Sequence, residues 1–266
     1  MYTDTDRYHD ITSAFREAGY ITGEGRVIKR GKEASVLCCP AHPSLGVESV
    51  ALKLYKDQQF RNFRNDAAYL GGRVWKRRDV GHLRAVKDHV WVETEFRVLD
   101  ELHAAGIRVP RPYTQIAHGI VMEYVRDGGT DAPLLKDVRL EPDEALRVYH
   151  EILDAIRAML GCRIIHGDLS PFNILYDGRH PVLIDFPQAI HARRHPDPYP
   201  VFRRDVENIR AWFTRCVTPG SGSGPSPSAE ADANLRPHPD DADLARELWV
   251  RAIGEPEPLA PVDRDR

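Results

Sequence analysis

Three polar residues stand at a spacing that chemistry can use. Asp168 is followed five residues later by Asn173, which opens the apolar run Ile174-Leu175-Tyr176, and a second apolar run, Val182-Leu183-Ile184, ends on Asp185. If 173–176 and 182–185 are antiparallel strands joined by Asp177-Gly178-Arg179-His180-Pro181, residue 176 faces 182 and 173 faces 185. An amide oxygen and a carboxylate then converge from two backbones. Magnesium favours a few protein oxygens completed by phosphate and water, so the pair predicts Mg²⁺ (or Mn²⁺) bridged to a triphosphate on Asn173 and Asp185, with Asp168 as the acceptor of a substrate proton. Phosphoryl transfer needs mainly positioning and charge neutralisation, which this set supplies. The spacing D-x-x-x-x-N followed by an apolar strand ending in Asp is specific, although short motifs in general produce false matches.

The nucleotide must be held by the upstream half. Lys53 ends the otherwise apolar run Val50-Ala51-Leu52, where its ammonium can pair with a carboxylate and with the α/β-phosphates. A helix is predicted from Asp88 to Ala105 by Val92, Phe96, Leu99 and Leu102. Glu95 falls on its apolar face, whereas Glu93 and Glu101 lie elsewhere around the wheel. A carboxylate turned inward wants a cation. Gly31-Lys32-Glu33-Ala34-Ser35-Val36 forms a strand turn before Lys53, with backbone N–H groups available to phosphate. Its weight comes from its order before Lys53, Glu95, Asp168 and Asp185, since a lone glycine is more often an ordinary turn.

The elements that must position these residues follow from periodicity. Residues 23–55 alternate short apolar runs with turn segments and predict a small sheet. A strand over Ile116–His118, a turn at Gly119 and a strand over Ile120–Val125 come next, and Asp127-Gly128-Gly129 marks a hinge between two lobes. A long helix starts near Pro142, carries Leu146, Tyr149, Ile152, Leu153, Ile156 and Leu160, and is closed by Gly161. Arg204–Phe213 is a further helix, 217–239 a Gly/Ser/Pro linker, and 240–266 a last helix with a charged tail. The expected organisation is an N-terminal extension over 1–22 and a catalytic domain over 23–216, with an N-lobe of 23–125 and a C-lobe of 130–216.

Composition is that of a globular enzyme: 266 residues, 42% hydrophobic, 29% charged, net charge −3 and pI near 6.5. That balance gives no global drive toward nucleic acid or anionic membrane. Residues 56–87, however, carry nine basic side chains against three acidic ones, a mobile or partner-binding insertion that suits RNA or an acidic protein. The polar N-terminus lacks the order of a signal peptide, and no apolar run approaches the ~18 residues of a membrane span, which predicts a cytoplasmic protein. Cys38, Cys39, Cys162 and Cys216 lack CxxC spacing and are read as reduced structural thiols. His166 is read as a residue that bonds the backbone of the catalytic turn, and Asp177 as turn chemistry.

The segments Gly31–Val36, Ala51–Lys56, Trp91–Leu99, Val121–Val125, His166-Gly167-Asp168-Leu169-Ser170-Pro171-Phe172-Asn173 and Ile184-Asp185-Phe186-Pro187-Gln188 resemble successive signatures of the RIO kinases, over about 23–214. The resemblance implies an α+β, two-lobed protein-kinase-like fold: a small antiparallel sheet lobe, a mostly helical lobe and no long activation segment. It implies ATP and Mg²⁺ as cofactors, pairing of Lys53 with Glu95 around ATP, catalysis by Asp168, and metal held by Asn173 and Asp185. Gly31, Lys32, Glu33 and Ser35 would cover the phosphates. Met122 would be the gatekeeper, and the Glu123 carbonyl and Val125 amide would meet adenine. Asp205 would anchor the catalytic loop. The implied activity is serine/threonine phosphorylation of a protein, or ATP hydrolysis through a phospho-aspartate at Asp185.

The chain departs from that pattern in three places. Residues 52–93 contain no Ser or Thr for autophosphorylation, the 22 residues before the sheet are too few for a winged helix, and Pro171 replaces the acidic residue usual in the catalytic loop. Two other readings use the same residues. Small-molecule kinases of the aminoglycoside or choline type carry a similar HGD loop but devote a large helical region to substrate, and a nucleotide-gated binding module would use ATP as a switch.

Overall fold

The computed structural model describes residues 4–56, 80–217 and 241–254. In chain order the elements begin with α1 (Asp4–Glu17), β1 (Arg26–Arg30), β2 (Ala34–Pro40), β3 (Ser49–Tyr55), α2 (Val80–Ala104), β4 (Pro112–Ile116) and β5 (Gly119–Glu123). They continue with β6 (Arg126–Asp127), β7 (Thr130–Asp131), α3 (Pro142–Gly161), β8 (Ile164–Ile165), β9 (Ile174–Tyr176), β10 (Pro181–Leu183) and β11 (Ile190–His191). The last two are α4 (Pro198–Val217) and α5 (Asp241–Ile253). The chain divides into two compact units: one comprises the chain up to Arg139 together with Ser170–Ala189, the other Leu140–Leu169 and the residues from Ile190 on. The basic residues 57–79 and most of the predicted linker lie outside the described residues.

The first unit is built on an antiparallel sheet in the order β1-β2-β3-β5-β4. β3 occupies the centre, so it is buried along nearly its whole length. Val50, Leu52, Leu54 and Val121 pack with Phe15 and Ile21 into one core cluster. Cys39 joins that cluster while Cys38 stays half-buried, as alternation in a strand requires. Burial pushes the Cys39 thiol up to about 12, which keeps it unreactive.

Helix α1 is absent from the sequence reading, which treats 1–22 as an extension. Its polar sequence carries too thin an apolar stripe to announce a helix, yet Phe15 is fully buried. A Cβ added at Gly119 would lie 2.7 Å from the Phe15 ring, so the glycine is what lets the ring lie against β5. Phe15→Ala is expected to cost about 3–5 kcal/mol, measured by urea denaturation. A loss under about 1 kcal/mol would show that α1 contributes nothing to this core.

Two local expectations change. The strand predicted over 116–118 runs over Pro112–Ile116, because Ala117, at φ +47, belongs to the turn into β5. Gly128 and Gly129, read as a hinge between lobes, are the positive-φ tip of the β6–β7 hairpin, and the unit boundary falls after Arg139. Helix α3 ends on Gly161, as expected, and the left-handed residue beyond it is Arg163, at φ +61.

The second unit packs α3, α4 and α5 with the short β8–β11 ladder. The stripe of α3 buries Val148, Tyr149, Ile152, Leu153, Ile156 and Leu160. Trp249 of α5 packs edge-on against Tyr199 and at a tilt against Phe202 of α4, with ring centroids 5.4 and 5.5 Å away. No helix among the described residues is long and apolar enough to cross a membrane.

Candidate active site

In the first unit the sheet delivers Lys53 from the middle of β3, opposite Val36 of β2 and Ile120 of β5. Its Nζ donates to Glu95 Oε1 on α2 at 2.7 Å and to Asp185 Oδ1 at 2.7 Å. Burial by itself pulls a lysine down, but the two facing carboxylates outweigh it and hold the ammonium above the ordinary lysine range. Glu95, 1% exposed, also accepts from the Tyr55 hydroxyl and from the Phe186 backbone N–H, the latter at 3.0 Å. Burial pushes its carboxyl up; the Lys53 ammonium and the Phe186 amide oppose that rise.

The apolar positions Val92, Leu99 and Leu102 are buried beside Glu95 while Glu93 and Glu101 are exposed, as the helical spacing requires. Tyr55 and Phe186 complete the carboxylate's surroundings and were not singled out from sequence. Tyr55 carried a signal: it stands two residues from Lys53 on the same face of a strand.

The metal hairpin has a different register from the one the spacing suggests. Pro181 pairs with Tyr176, Val182 with Leu175 and Leu183 with Ile174, one residue out of the expected alignment. The cause is the turn: Asp177 Oδ1 accepts from the N–H groups of Arg179 and His180, tightening the loop to four residues and placing Pro181 in the strand. Asn173 therefore lies opposite Ile184, whose N–H donates to the Asn173 carbonyl at 3.0 Å, and sits at the end of a 3-10 turn. A one-residue slip turns a side chain to the other face of a strand. The chain leaves the ladder here, and Asp185 adopts φ +71, so its direction is set by a left-handed backbone that a β-strand would not give.

Asn173 is buried, whereas the Asp185 side chain is 39% exposed. One amide oxygen and one carboxylate on neighbouring backbones are the donor types that Mg²⁺ accepts when phosphate and water complete its shell. Among the described residues no group of three His, Cys, Asp or Glu side chains could hold a metal, so such an ion would depend on these two oxygens and its phosphates.

The predicted phosphate turn joins β1 to β2. Gly31 N–H donates to the Ala34 carbonyl at 2.8 Å, and a Cβ at Gly31 would meet that same oxygen at 3.0 Å. Lys56 braces the turn twice, its Nζ on the Gly31 carbonyl at 2.7 Å and its N–H on the Glu33 carbonyl at 2.8 Å. Lys32 is exposed, Glu33 half-buried and Ser35 buried. Along β5, Met122 is buried between Ala51 and Pro112, Glu123 is exposed with its N–H on the Arg111 carbonyl, and the Val125 carbonyl accepts from Ala132.

Asp168 belongs to the second unit. It is exposed between buried Gly167 and Leu169, whose N–H groups donate to the two oxygens of Asp205 at 2.8 and 3.0 Å. Arg204 donates to the Gly167 carbonyl, Asn208 to that of Leu169, and the Asp168 N–H points at His166 Nδ1 at 3.4 Å. Four side chains thus hold the loop backbone, and His166 has the structural role read from sequence. Burial pushes the Asp205 carboxyl up to about 7, against the two amides that lower it.

A raised folded-state value means that the stability from this group is fully present below the ordinary carboxylate range and is lost as pH rises through about 7. Asp205→Asn faces one N–H with a donor instead of an acceptor and is expected to cost about 1–3 kcal/mol. Denaturation at a series of pH values checks both: the wild-type advantage over the variant should shrink between pH 4 and pH 7.

Comparison with known proteins agrees with this geometry. The RIO domain family model matches residues 38–222. The serine/threonine-protein kinase RIO1 of Homo sapiens is 33% identical over 201 residues, covering 74% of this chain and 34% of that protein. The RIO-type serine/threonine-protein kinase Rio1 of Haloferax volcanii is 32% identical over 225 residues, covering 80% of this chain and 74% of that one. The chain thus spans about a third of the human relative's length and about three quarters of the Haloferax protein's. The Rio2 kinase of Chaetomium thermophilum, solved as an ADP/Mg²⁺-phosphoaspartate complex, superposes with a TM-score of 0.59 at 26% identity, over 92% of this chain and 70% of that one. That neighbour confirms the protein-kinase-like fold, with a sheet-based N-terminal part and a helical C-terminal part. A buried lysine clasped by a helix carboxylate and a hairpin aspartate, an anchored HGD loop and a family match over most of its length show that this chain belongs to the RIO domain family.

Proposed function

We propose that the chain is an ATP- and Mg²⁺-dependent phosphotransferase of the RIO serine/threonine-kinase type, able to turn over ATP through a phospho-aspartate at Asp185. The observation that carries the reading is Lys53 held at 2.7 Å from both Glu95 and Asp185. Glu95 fixes the ammonium, leaving its remaining donor direction to phosphate oxygens. Bound Mg²⁺ supplies charge neutralisation for the phosphates, and Asn173 and Asp185 are the residues that would hold it. Asp168, exposed on a fixed backbone, accepts the proton of an acceptor hydroxyl.

Exposure favours Asp185 as the phosphorylated carboxylate. Of the two acids on Lys53, Glu95 is enclosed with three donors around it, while Asp185 keeps a third of its side chain accessible. An Asp185 oxygen bonds to the γ-phosphorus as the bond to the β-phosphate oxygen breaks and ADP leaves; water then releases phosphate. We also propose a cytoplasmic location, a protein hydroxyl as the acceptor, and an RNA or acidic partner for the basic residues 56–87.

Incubation with γ-³²P-ATP and Mg²⁺ or Mn²⁺ tests the reading. Hydroxylamine-labile label on the protein with release of phosphate, both lost in Asp185→Asn, is the expected result. Acid-stable, hydroxylamine-resistant label would replace the aspartyl route by hydroxyl phosphorylation, and neither label nor release with ATP bound would point to a missing small-molecule acceptor or a nucleotide-gated module.

A further inference from the structure

The β6–β7 hairpin, folded tightly by Gly128 and Gly129, returns Asp131 toward the edge strand of the sheet. There Arg26, the first residue of β1, donates Nη1 to Asp131 Oδ2 at 2.9 Å and Nη2 to Oδ1 at 2.6 Å, a two-pronged pair. The same Nη2 reaches the Tyr124 hydroxyl at 3.1 Å, and that hydroxyl also bonds Asp131. Arg126 fastens the other side: it donates to Glu48 at 2.8 Å and to Ser49 Oγ at 2.9 Å, with its guanidinium 5.6 Å from the centre of the Tyr124 ring. Tyr124 stands between Glu123 and Val125, the two residues assigned to adenine. The Arg26 hydrogen bond holds the Asp131 carboxyl below the usual carboxylate range, so the pair stays charged at neutral pH.

We infer that Arg26, Tyr124 and Asp131 form a clasp between the edge strand and the adenine-binding segment, which sets how long the nucleotide stays bound. This inference rests on the reading of the chain as an ATP-dependent phosphotransferase. β1 runs from Arg26 to the turn at Gly31, so one strand carries the clasp at one end and the candidate phosphate turn at the other. Among the described residues the strand makes ladder contacts with β2 alone and its register is broken between Val27 and Lys29, so its Arg26 end is held less firmly than the central strands. Nucleotide release needs this strand to move away from the Tyr124 segment, and the charged pair opposes that movement. Arg26 and Asp131 are positioning residues that touch no reacting atom.

Stopped-flow release of a fluorescent ADP analogue with Mg²⁺ tests the clasp. Arg26→Ala and Asp131→Ala are each expected to speed release roughly two- to fivefold, and the double variant no further than the more affected single. The exchanged pair Arg26→Asp/Asp131→Arg should recover slow release, a rescue that loss of structure would not give. Raising ionic strength to about 1 M should speed wild-type release by a larger factor than release from the alanine variants. Unchanged release in both single variants, or no recovery in the exchanged pair, overturns the clasp alone. A wild-type protein that does not bind the analogue overturns the phosphotransferase reading and the clasp with it.

Discussion

Asp168→Asn is expected to lower phosphoryl transfer by about 10²- to 10⁴-fold while ATP–Mg²⁺ affinity stays at the wild-type level. The loop backbone gives the reason for expecting so clean a separation. The N–H groups of Gly167 and Leu169 are fixed by Asp205 and their carbonyls by Arg204 and Asn208, so replacing one exposed carboxylate oxygen is expected to leave the loop in place. The substitution is aimed at the proton acceptor. Asp185→Asn is expected to behave differently, because its oxygen accepts from Lys53 and, in the proposed reaction, would also hold the metal: nucleotide affinity that depends on Mg²⁺ should fall together with turnover. Isothermal titration with ATP in the presence and absence of Mg²⁺, beside single-turnover transfer, reads the two effects apart. Equal residual activity in the two variants would contradict the division of roles.

The residues in that proposed division are legible in the sequence. Lys53, Glu95, Asp168, Asn173 and Asp185 are legible from residue type and spacing, and the structure brings Lys53 into contact with Glu95, as the inward carboxylate required, and also with Asp185, a contact the sequence pattern does not include. What failed was fine geometry. The hairpin register hung on whether Pro181 belongs to the turn or to the strand, a choice decided by two hydrogen bonds to Asp177 that no periodicity reveals. The left-handed conformations of Arg163 and Asp185 lie outside any pattern based on glycine, since the surrounding structure imposes them. Helix α1 escaped notice because, among its described side chains, the buried Phe15 and the half-buried Ile11 do the packing that a full apolar stripe would have announced. Gly128 and Gly129 were correctly marked as a place where the chain turns, but glycine fixes neither the scale nor the partner of a turn. Here they make a hairpin whose aspartate reaches the sheet edge.

The second large effect concerns stability. Lys53→Met is expected to destabilise the fold by about 3–5 kcal/mol, because it leaves the Glu95 carboxylate enclosed without its cation. Methionine fills much of the lysine's volume, so the loss reflects charge more than a cavity. Adding Glu95→Gln should then restore part of what Lys53→Met removed. The glutamine oxygen still accepts from the Phe186 N–H, its NH₂ can meet the Tyr55 oxygen, and no unpaired charge is left inside. A coupling of about 1–3 kcal/mol between the two substitutions follows. Urea denaturation of the wild type, both single variants and the double variant supplies it; additive losses would show that the pair is not energetically linked. Transfer should stay near background in every variant that lacks Lys53, including the restabilised one. Recovery of stability without recovery of turnover would separate the two uses of Lys53, since neutralising Glu95 removes a buried charge but supplies no cation to phosphate.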